Sequence, residues 1–183
     1  SVTDDNGVVA HENENMLGYN GTLGGVGVSL AYVNGGSGAK DGGASDSSWV
    51  LTYDGLLDGL SIGAGMGENG TTQDLSTIWA KYTAGSITFG FQKSEVDNTG
   101  STADEESTAM AASIAVNENL SISAGKHDVD MGAGKVDEES TGVSASYTMG
   151  STTIGFVANS TDNVAGTANS DDSYREIAVS FAF

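Results

Sequence analysis

The sequence has no cysteine and no proline. Without cysteine there is no disulfide framework and no thiolate metal site, although the compartment stays open. Cations are scarce. Six of the 183 residues are Lys or Arg against 25 Asp and Glu, a formal charge of −19. Such a chain has little to offer nucleic-acid phosphates. The two histidines, His11 and His127, have no neighbouring His or Cys in sequence to complete a zinc site. No apolar run approaches the roughly 20 residues of a transmembrane helix. Ser1 opens straight into polar sequence, with no signal-peptide pattern. Leucine is too sparse for a helical bundle, which favours Leu, Glu and Lys. Only 38% of residues are hydrophobic. Low hydrophobicity with acidic charge admits disorder, but the apolar residues are too well ordered for that.

They follow a period of two. Val26, Val28, Leu30 and Tyr32 alternate with Gly27, Ser29 and Ala31. Leu60, Ile62, Ala64 and Met66 alternate with Ser61, Gly63 and Gly65. The same holds for Ile87, Phe89 and Phe91, for Met110, Ala112, Ile114 and Val116, and for Leu120, Ile122 and Ala124. It continues through Val143, Ala145, Tyr147 and Met149, then Ile154, Phe156 and Ala158, and closes on Ile177, Val179, Phe181 and Phe183. This is the strand period, not the helix period. It predicts an all-β chain of about eleven strands, each about ten residues long, as in strands tilted across a bilayer. Such strands carry only a weak hydropathy signal, since alternate residues alone face lipid.

The joints between strands have their own order. Short ones are expected near 22–25, 57–59, 84–86, 117–119 and 150–151. Long ones, rich in Asp, Asn, Gly and Thr, are expected near 34–46, 68–73, 97–105, 128–137 and 161–171. Tight turns at one end and long polar loops at the other mark an outer-membrane barrel. The polar face points the same way. It is Ser, Thr, Gly and Gln where a soluble sandwich would carry Lys and Glu. Such a face suits a wet lumen, and the small apolar residues opposite suit lipid. Closure of the barrel also removes exposed strand edges.

Other motifs weigh less. Gly59, Ser61 and Gly63 match the G-x-S-x-G pattern, but a nucleophile elbow needs a following helix and a His base, and here the alternation runs on. No enzyme is expected. His127 shares the phase of Ser123 and Gly125 and reads as a solvated residue of the polar face. Asp128, Asp130, Asp137 and Glu138 form the one candidate set for a loop-bound Ca²⁺; they lack EF-hand spacing, and a solvated acidic loop is the plainer reading. No other cofactor is expected. The nonapeptide of calcium-binding β-rolls does not recur. Asn20 and Asn159 open glycosylation-like triplets that read as turn chemistry. Trp49, Trp79, Tyr19, Tyr32, Tyr53, Tyr82, Tyr147 and Tyr174 are candidates for interfacial aromatic girdles, or for ordinary strand packing.

The final stretch, Tyr174-Arg175-Glu176-Ile177-Ala178-Val179-Ser180-Phe181-Ala182-Phe183, resembles the C-terminal signal of outer-membrane barrels. Glu176, Ala178, Phe181 and Phe183 occupy its places, with Ala178 where Gly is usual. The segments Trp49-Val50-Leu51-Thr52-Tyr53-Asp54-Gly55 and Leu60-Ser61-Ile62-Gly63-Ala64-Gly65 resemble the general porins of Gram-negative bacteria, the alphaproteobacterial type in particular. The resemblance covers residues 13–183. It implies a transmembrane antiparallel up-and-down β-barrel of the 16-stranded porin type in the bacterial outer membrane. Expected partners are lipid, lipopolysaccharide, the barrel-assembly machinery and two further copies in a homotrimer. Eleven strands counted back from the C-terminus would leave five before Ser1, so the chain is expected to be the C-terminal part of a longer barrel.

In that scheme residues 1–12 would be the end of an inward-folded constriction loop. Residues 13–183 would be strands with short periplasmic turns and long extracellular loops. Asp4, Asp5, His11, Glu12 and Glu14 would flank the constriction. Lys81 would face them, although its strand phase is ambiguous. Thr77, Trp79 and Lys81 share one face, and Ile78, Ala80 and Tyr82 the other. The expected function is passive diffusion of small hydrophilic solutes and ions through a water-filled, cation-preferring pore. The alternative is a secreted, β-rich, calcium-binding adhesin or surface-layer domain.

Overall fold

The computed structural model describes residues 16–33, 45–69, 72–100, 103–132 and 134–182. Eleven strands succeed one another among them: β1 (Met16–Leu23), β2 (Val26–Val33), β3 (Asp46–Tyr53), β4 (Leu60–Asn69), β5 (Gln73–Ala84), β6 (Ile87–Asn98), β7 (Glu105–Ala115), β8 (Leu120–Asp130), β9 (Glu138–Met149), β10 (Thr152–Asp162) and β11 (Asp172–Phe181). Their order in the sheet is their order in the chain, with β1 and β11 at its ends. The pairs β1–β2, β2–β3, β3–β4, β8–β9, β9–β10 and β10–β11 are antiparallel. A single 3-10 turn, Val164–Gly166, lies in the joint before β11.

The turns follow from backbone chemistry. Gly24, Gly25, Gly59, Gly85 and Gly150, in the short joints, all have positive φ, the region that glycine enters without a Cβ penalty. The short joints stand where the sequence placed them. The joint expected near 68–73 is shorter than its polar run: β4 runs to Asn69 and β5 resumes at Gln73. Glu68, Asn69 and Gln73 therefore belong to strand ends. Asn69 Nδ2 donates to Gln73 Oε1 at 3.0 Å, and Gln73 Nε2 to Asn98 Oδ1 at 2.9 Å. Val116, expected to extend the face of β7, lies beyond its end at Ala115.

Contacts divide the chain into two units, Ser1–Ala80 with Gln92–Ser107, and Lys81–Phe91 with Thr108–Phe183. In each, register sorts the side chains into two faces. In the first, Tyr19, Leu30, Trp49 and Met66 lie in one row across β1 to β4, and Leu23, Val26, Tyr53 and Ile62 in another. The opposite face carries Thr22, Gly27, Thr52 and Gly63. In the second, Ile122, Ala145, Phe156 and Ile177 form an apolar row across β8 to β11, beside Leu120, Tyr147, Ile154 and Val179. Behind them run Ser121, Ser146, Gly155 and Ala178. A one-residue slip would exchange the faces, so the hydrophobic pattern fixes the register.

Burial is the reverse of a soluble protein's. Among the described residues the buried hydrophobics are Val33, Leu75, Val96 and Val129, and each falls in the phase of the polar face. With them are buried Asp46, Ser48, Thr77, Ser94 and Ser107. The apolar rows are open instead, with Ile177 73% and Phe181 60% exposed. A contiguous apolar surface of this kind marks a contact with lipid or protein.

Turn and strand glycines should respond differently to substitution. A Cβ at Gly150 or Gly155 meets nothing within 4 Å, but Gly150 has φ +61. Gly150→Ala should cost about 1 kcal/mol from backbone strain alone, whereas Gly155→Ala should be near neutral. Equilibrium denaturation of the two variants measures the difference.

Candidate functional site

In each unit the polar face brings short polar side chains together across strands. In the second unit its hydroxyls bond one another across strands: Ser123 to Ser144 at 2.7 Å, Ser140 to Thr161 at 2.8 Å, Thr148 to Thr153 at 3.0 Å and Thr83 to Thr88 at 3.1 Å. In the first unit Ser94 is almost wholly buried. Its Oγ lies 2.9 Å from Thr77 Oγ1 and accepts from Gln92 Nε2 at 3.1 Å. Ser29 likewise donates to Asn20 Oδ1. These short neutral side chains satisfy one another along the wall and leave it wettable.

Charges on this face are few and mostly negative. Lys81 shares the side of Thr83, whose hydroxyl meets Thr88; this resolves its phase in favour of the polar face. His127 pairs with Ser140 on the same face. Glu138 pairs with Val129, and Glu176 with Val157, so both carboxylates are in the polar phase. Glu176 accepts a hydrogen bond from the Tyr174 hydroxyl. Asp4, Asp5, His11, Glu12 and Glu14 lie outside the described residues, as does Phe183. Of the candidate assembly-signal positions, Ala178 is on the polar face opposite Gly155. Phe181, opposite Thr152, belongs to the apolar face.

For two of the aromatic candidates the strand phase favours the second reading, packing within the sheet. Trp79 is not in an outer girdle: its indole lies over Gly63, a polar-face position of β4. Tyr174 is opposite Asn159, in the polar phase. Tyr19, Tyr32, Trp49, Tyr53 and Tyr147 do fall in the apolar rows.

The four calcium candidates are not brought together. Asp128 Oδ1 is 3.1 Å from Lys126 Nζ. Asp130 accepts from the Gly132 amide at 2.8 Å, and Glu138 from the Ala165 amide at 2.7 Å. The Asp137 carbonyl accepts from Asn163 at 3.0 Å. Among the described residues no three acidic or imidazole groups are placed to hold a metal ion.

Sequence reasoning missed a feature of the apolar face. Lys93 lies 3.2 Å from Glu95 and 2.8 Å from Glu106. Lys126 lies 3.1 Å from Asp128 and 2.8 Å from Glu139. Each Lys takes the next apolar-phase place beyond the hydrophobic residues, after Phe91 in β6 and after Ala124 in β8. The two triads repeat at equal spacing in sequence, which was the available signal. A groove of about 310 Å³ also opens in the first unit, lined by Trp49, Met66, Glu68, Asp74 and Asp97. It involves the apolar row of Trp49 and Met66.

The family model for Gram-negative porins matches residues 1–183. No curated protein sequence matches the chain. Among solved structures, an anion-selective porin from Comamonas acidovorans is similar at TM-score 0.72 and 15% identity, over 92% of this chain and 59% of that one. OpdO of Pseudomonas aeruginosa is similar at TM-score 0.68 and 16% identity, over 88% of this chain and 56% of that one. OmpT, an outer membrane protein of Vibrio cholerae, is similar at TM-score 0.61 and 14% identity, over 90% and 60%. The chain thus spans about three fifths of the length of these structures. At such identities the likeness is one of fold: antiparallel, up-and-down porin strands.

The wall's hydrogen bonds should be measurable one at a time. Ser94→Ala removes the hydroxyl that buried Thr77 and half-buried Gln92 share; Thr77 keeps its bond to the Lys93 carbonyl at 3.3 Å, so the cost should be about 1 kcal/mol. Ser121→Ala, at an exposed position of the polar face, should stay within about 0.5 kcal/mol. Unfolding in detergent compares them, and equal losses would remove the distinction.

Proposed function

The chain belongs to the Gram-negative porin family, and from that premise we propose that it forms part of the wall of a water-filled pore for passive diffusion of small hydrophilic solutes. A Gram-negative porin resides in the bacterial outer membrane. The observation that carries the reading is the inverted burial. Hydroxyl, amide and glycine positions share one face, and the other presents Leu, Ile, Val, Phe and Tyr outward. That division fits a lumen on one side and hydrocarbon on the other. Family membership also favours a channel over an enzyme, and the adhesin alternative has no support from the matches.

Cation preference is a further part of the proposal. It is supported by the formal charge of −19 and by a polar face on which Glu138 and Glu176 stand against Lys81. Low-dielectric walls focus such a field and enrich counter-ions. The Comamonas porin is anion-selective, so the sign is not a constant among proteins of this fold. Asp4, Asp5, Glu12 and Glu14 enter on charge alone. The partners proposed are outer-membrane lipid against the apolar rows, lipopolysaccharide beside the Lys93 and Lys126 triads, the barrel-assembly machinery, and a homotrimer.

Two experiments test this reading. In planar bilayers with a salt gradient at low ionic strength, where screening is weak, the reversal potential should have the sign of a cation-preferring pore. Lys81→Glu should move it further that way, and neutralising Asp4, Asp5, Glu12 and Glu14 together should move it back. Anion preference in the unaltered protein contradicts the charge argument and leaves the pore intact. Separately, Phe156→Arg places a charge on the outward face and should cost about 2–4 kcal/mol at mid-bilayer depth. Assembly is read by heat-modifiable mobility in gels. Normal assembly of this variant, with failure of Ser146→Leu, would exchange the inner and outer faces.

A further inference from the structure

Trp79 stands where no other large apolar ring of its unit stands among the described residues. Its neighbours in phase on β5 are Gln73, Leu75 and Thr77 before it and Lys81 and Thr83 after it. Thr77 bonds Ser94, which Gln92 also reaches, so the phase is that of the polar wall. The indole crosses to β4 and occupies the space over Gly63. A Cβ there would fall 2.5 Å from Cε2 and 2.7 Å from Cζ2. Gly63 pairs with Thr52, which pairs with Gly27. Around the ring the wall is therefore low, being glycine and hydroxyl side chains. Trp79 itself is half-buried. It is packed on one part and open on another, unlike the almost wholly buried Ser94.

A purely structural account is that the ring covers a strand glycine, as aromatics do in sheets. That account explains the packed part of the ring. The open part is set in a face made mostly of hydroxyl, amide and glycine positions, with Leu75 an apolar neighbour in phase on its strand, and leaving that part of the ring in water is unfavourable. An indole in a polar wall offers what ring-shaped hydrophilic solutes lack elsewhere on it. Their C–H faces stack on the ring, while their hydroxyls bond the polar groups beside it. Gln92 is half-buried and supplies an amide at that level. We propose that Trp79, seated on Gly63 and flanked by Thr77 and Gln92, is a solute-contact site on the pore wall for pyranose sugars and related ring-shaped polyols. The proposal rests on the pore reading above.

The test uses the reconstituted protein in planar bilayers, with maltotriose as probe and a polyethylene glycol of similar hydrodynamic size as ring-free control. Maltotriose should produce concentration-dependent interruptions of the current that the polymer does not. Trp79→Ala should shorten them about two- to tenfold, the range of a single aromatic stacking contact, while the open-channel current is kept or slightly raised. Trp79→Phe should retain most of the residence time. Gly63→Ala keeps the indole but displaces it, and should also shorten the events; this variant carries the test if Trp79→Ala fails to assemble. Equal residence times in the unaltered, Trp79→Ala and Gly63→Ala proteins overturn the proposal, as do equal effects of maltotriose and the polymer. Absence of any conductance in the unaltered protein sinks the pore reading instead, so the two failures are distinguishable.

Discussion

Each strand from β2 to β10 has its sheet partners before and after it in sequence, so its backbone amides and carbonyls are used on both sides by its nearest neighbours in the chain. In hydrocarbon this requirement is severe, because no water is available to take an unpaired group. Once it is met by backbone alone, the side chains are released from polar duty. They then sort by the one rule left, the period of two. Turn glycines with positive φ allow the reversals to stay short, which keeps neighbours in sequence as neighbours in the sheet.

The sorting explains why burial runs backward. A soluble sheet hides its apolar side chains between layers. Here Ile122, Phe156 and Ile177 lie outward while Ser94, Thr77 and Ser48 are buried. In a pore wall of the kind proposed, lipid is the solvent of the apolar rows. The polar groups can be enclosed because hydroxyls of adjacent strands satisfy one another, as Ser123 does with Ser144. Past the hydrophobic stretch of β6 and β8 the same outward phase turns to Lys93 with Glu95 and Lys126 with Asp128. Each Lys is flanked by two carboxylates, so each triad keeps a net negative charge, just beyond the last hydrophobic residue of its strand in that phase. The family assignment thus has a physical counterpart in the order of residues along single strands.

Much of this was legible in the sequence. Strands such as β9 alternate cleanly between Val143, Ala145 and Tyr147 and Ser144, Ser146 and Thr148, so both position and face could be read. β5 could not be read in that way. Leu75 and Trp79 are in its polar phase and Ser76 and Ala80 in the other, which leaves hydropathy without a phase. Only the hydrogen bonds of Thr77 and Thr83 across to β6 decide it. The joint at 68–73 is shorter than its polar run for a related reason. Asn69 and Gln73 look like loop residues, but their amides bond along a polar wall. The triads kept a visible spacing, yet which face they occupy depends on register. The candidate constriction carboxylates Asp4, Asp5, Glu12 and Glu14 belong to residues 1–15, outside those described; their role rests on charge alone.

Because the chain has no cysteine of its own, a single introduced thiol reports its own surroundings without background. The central claim is that alternate residues of one strand face water and lipid. It is tested most directly by placing one cysteine at a time along β9 and β10, at positions 143 to 147 and 154 to 158, in the protein reconstituted in bilayers. The measurement is the rate of labelling by a charged, membrane-impermeant thiol reagent. Fast labelling at 144, 146 and 155, and slow labelling at 143, 145, 154 and 156, is the result this account predicts. The opposite phase, or uniform labelling along both strands, would contradict it.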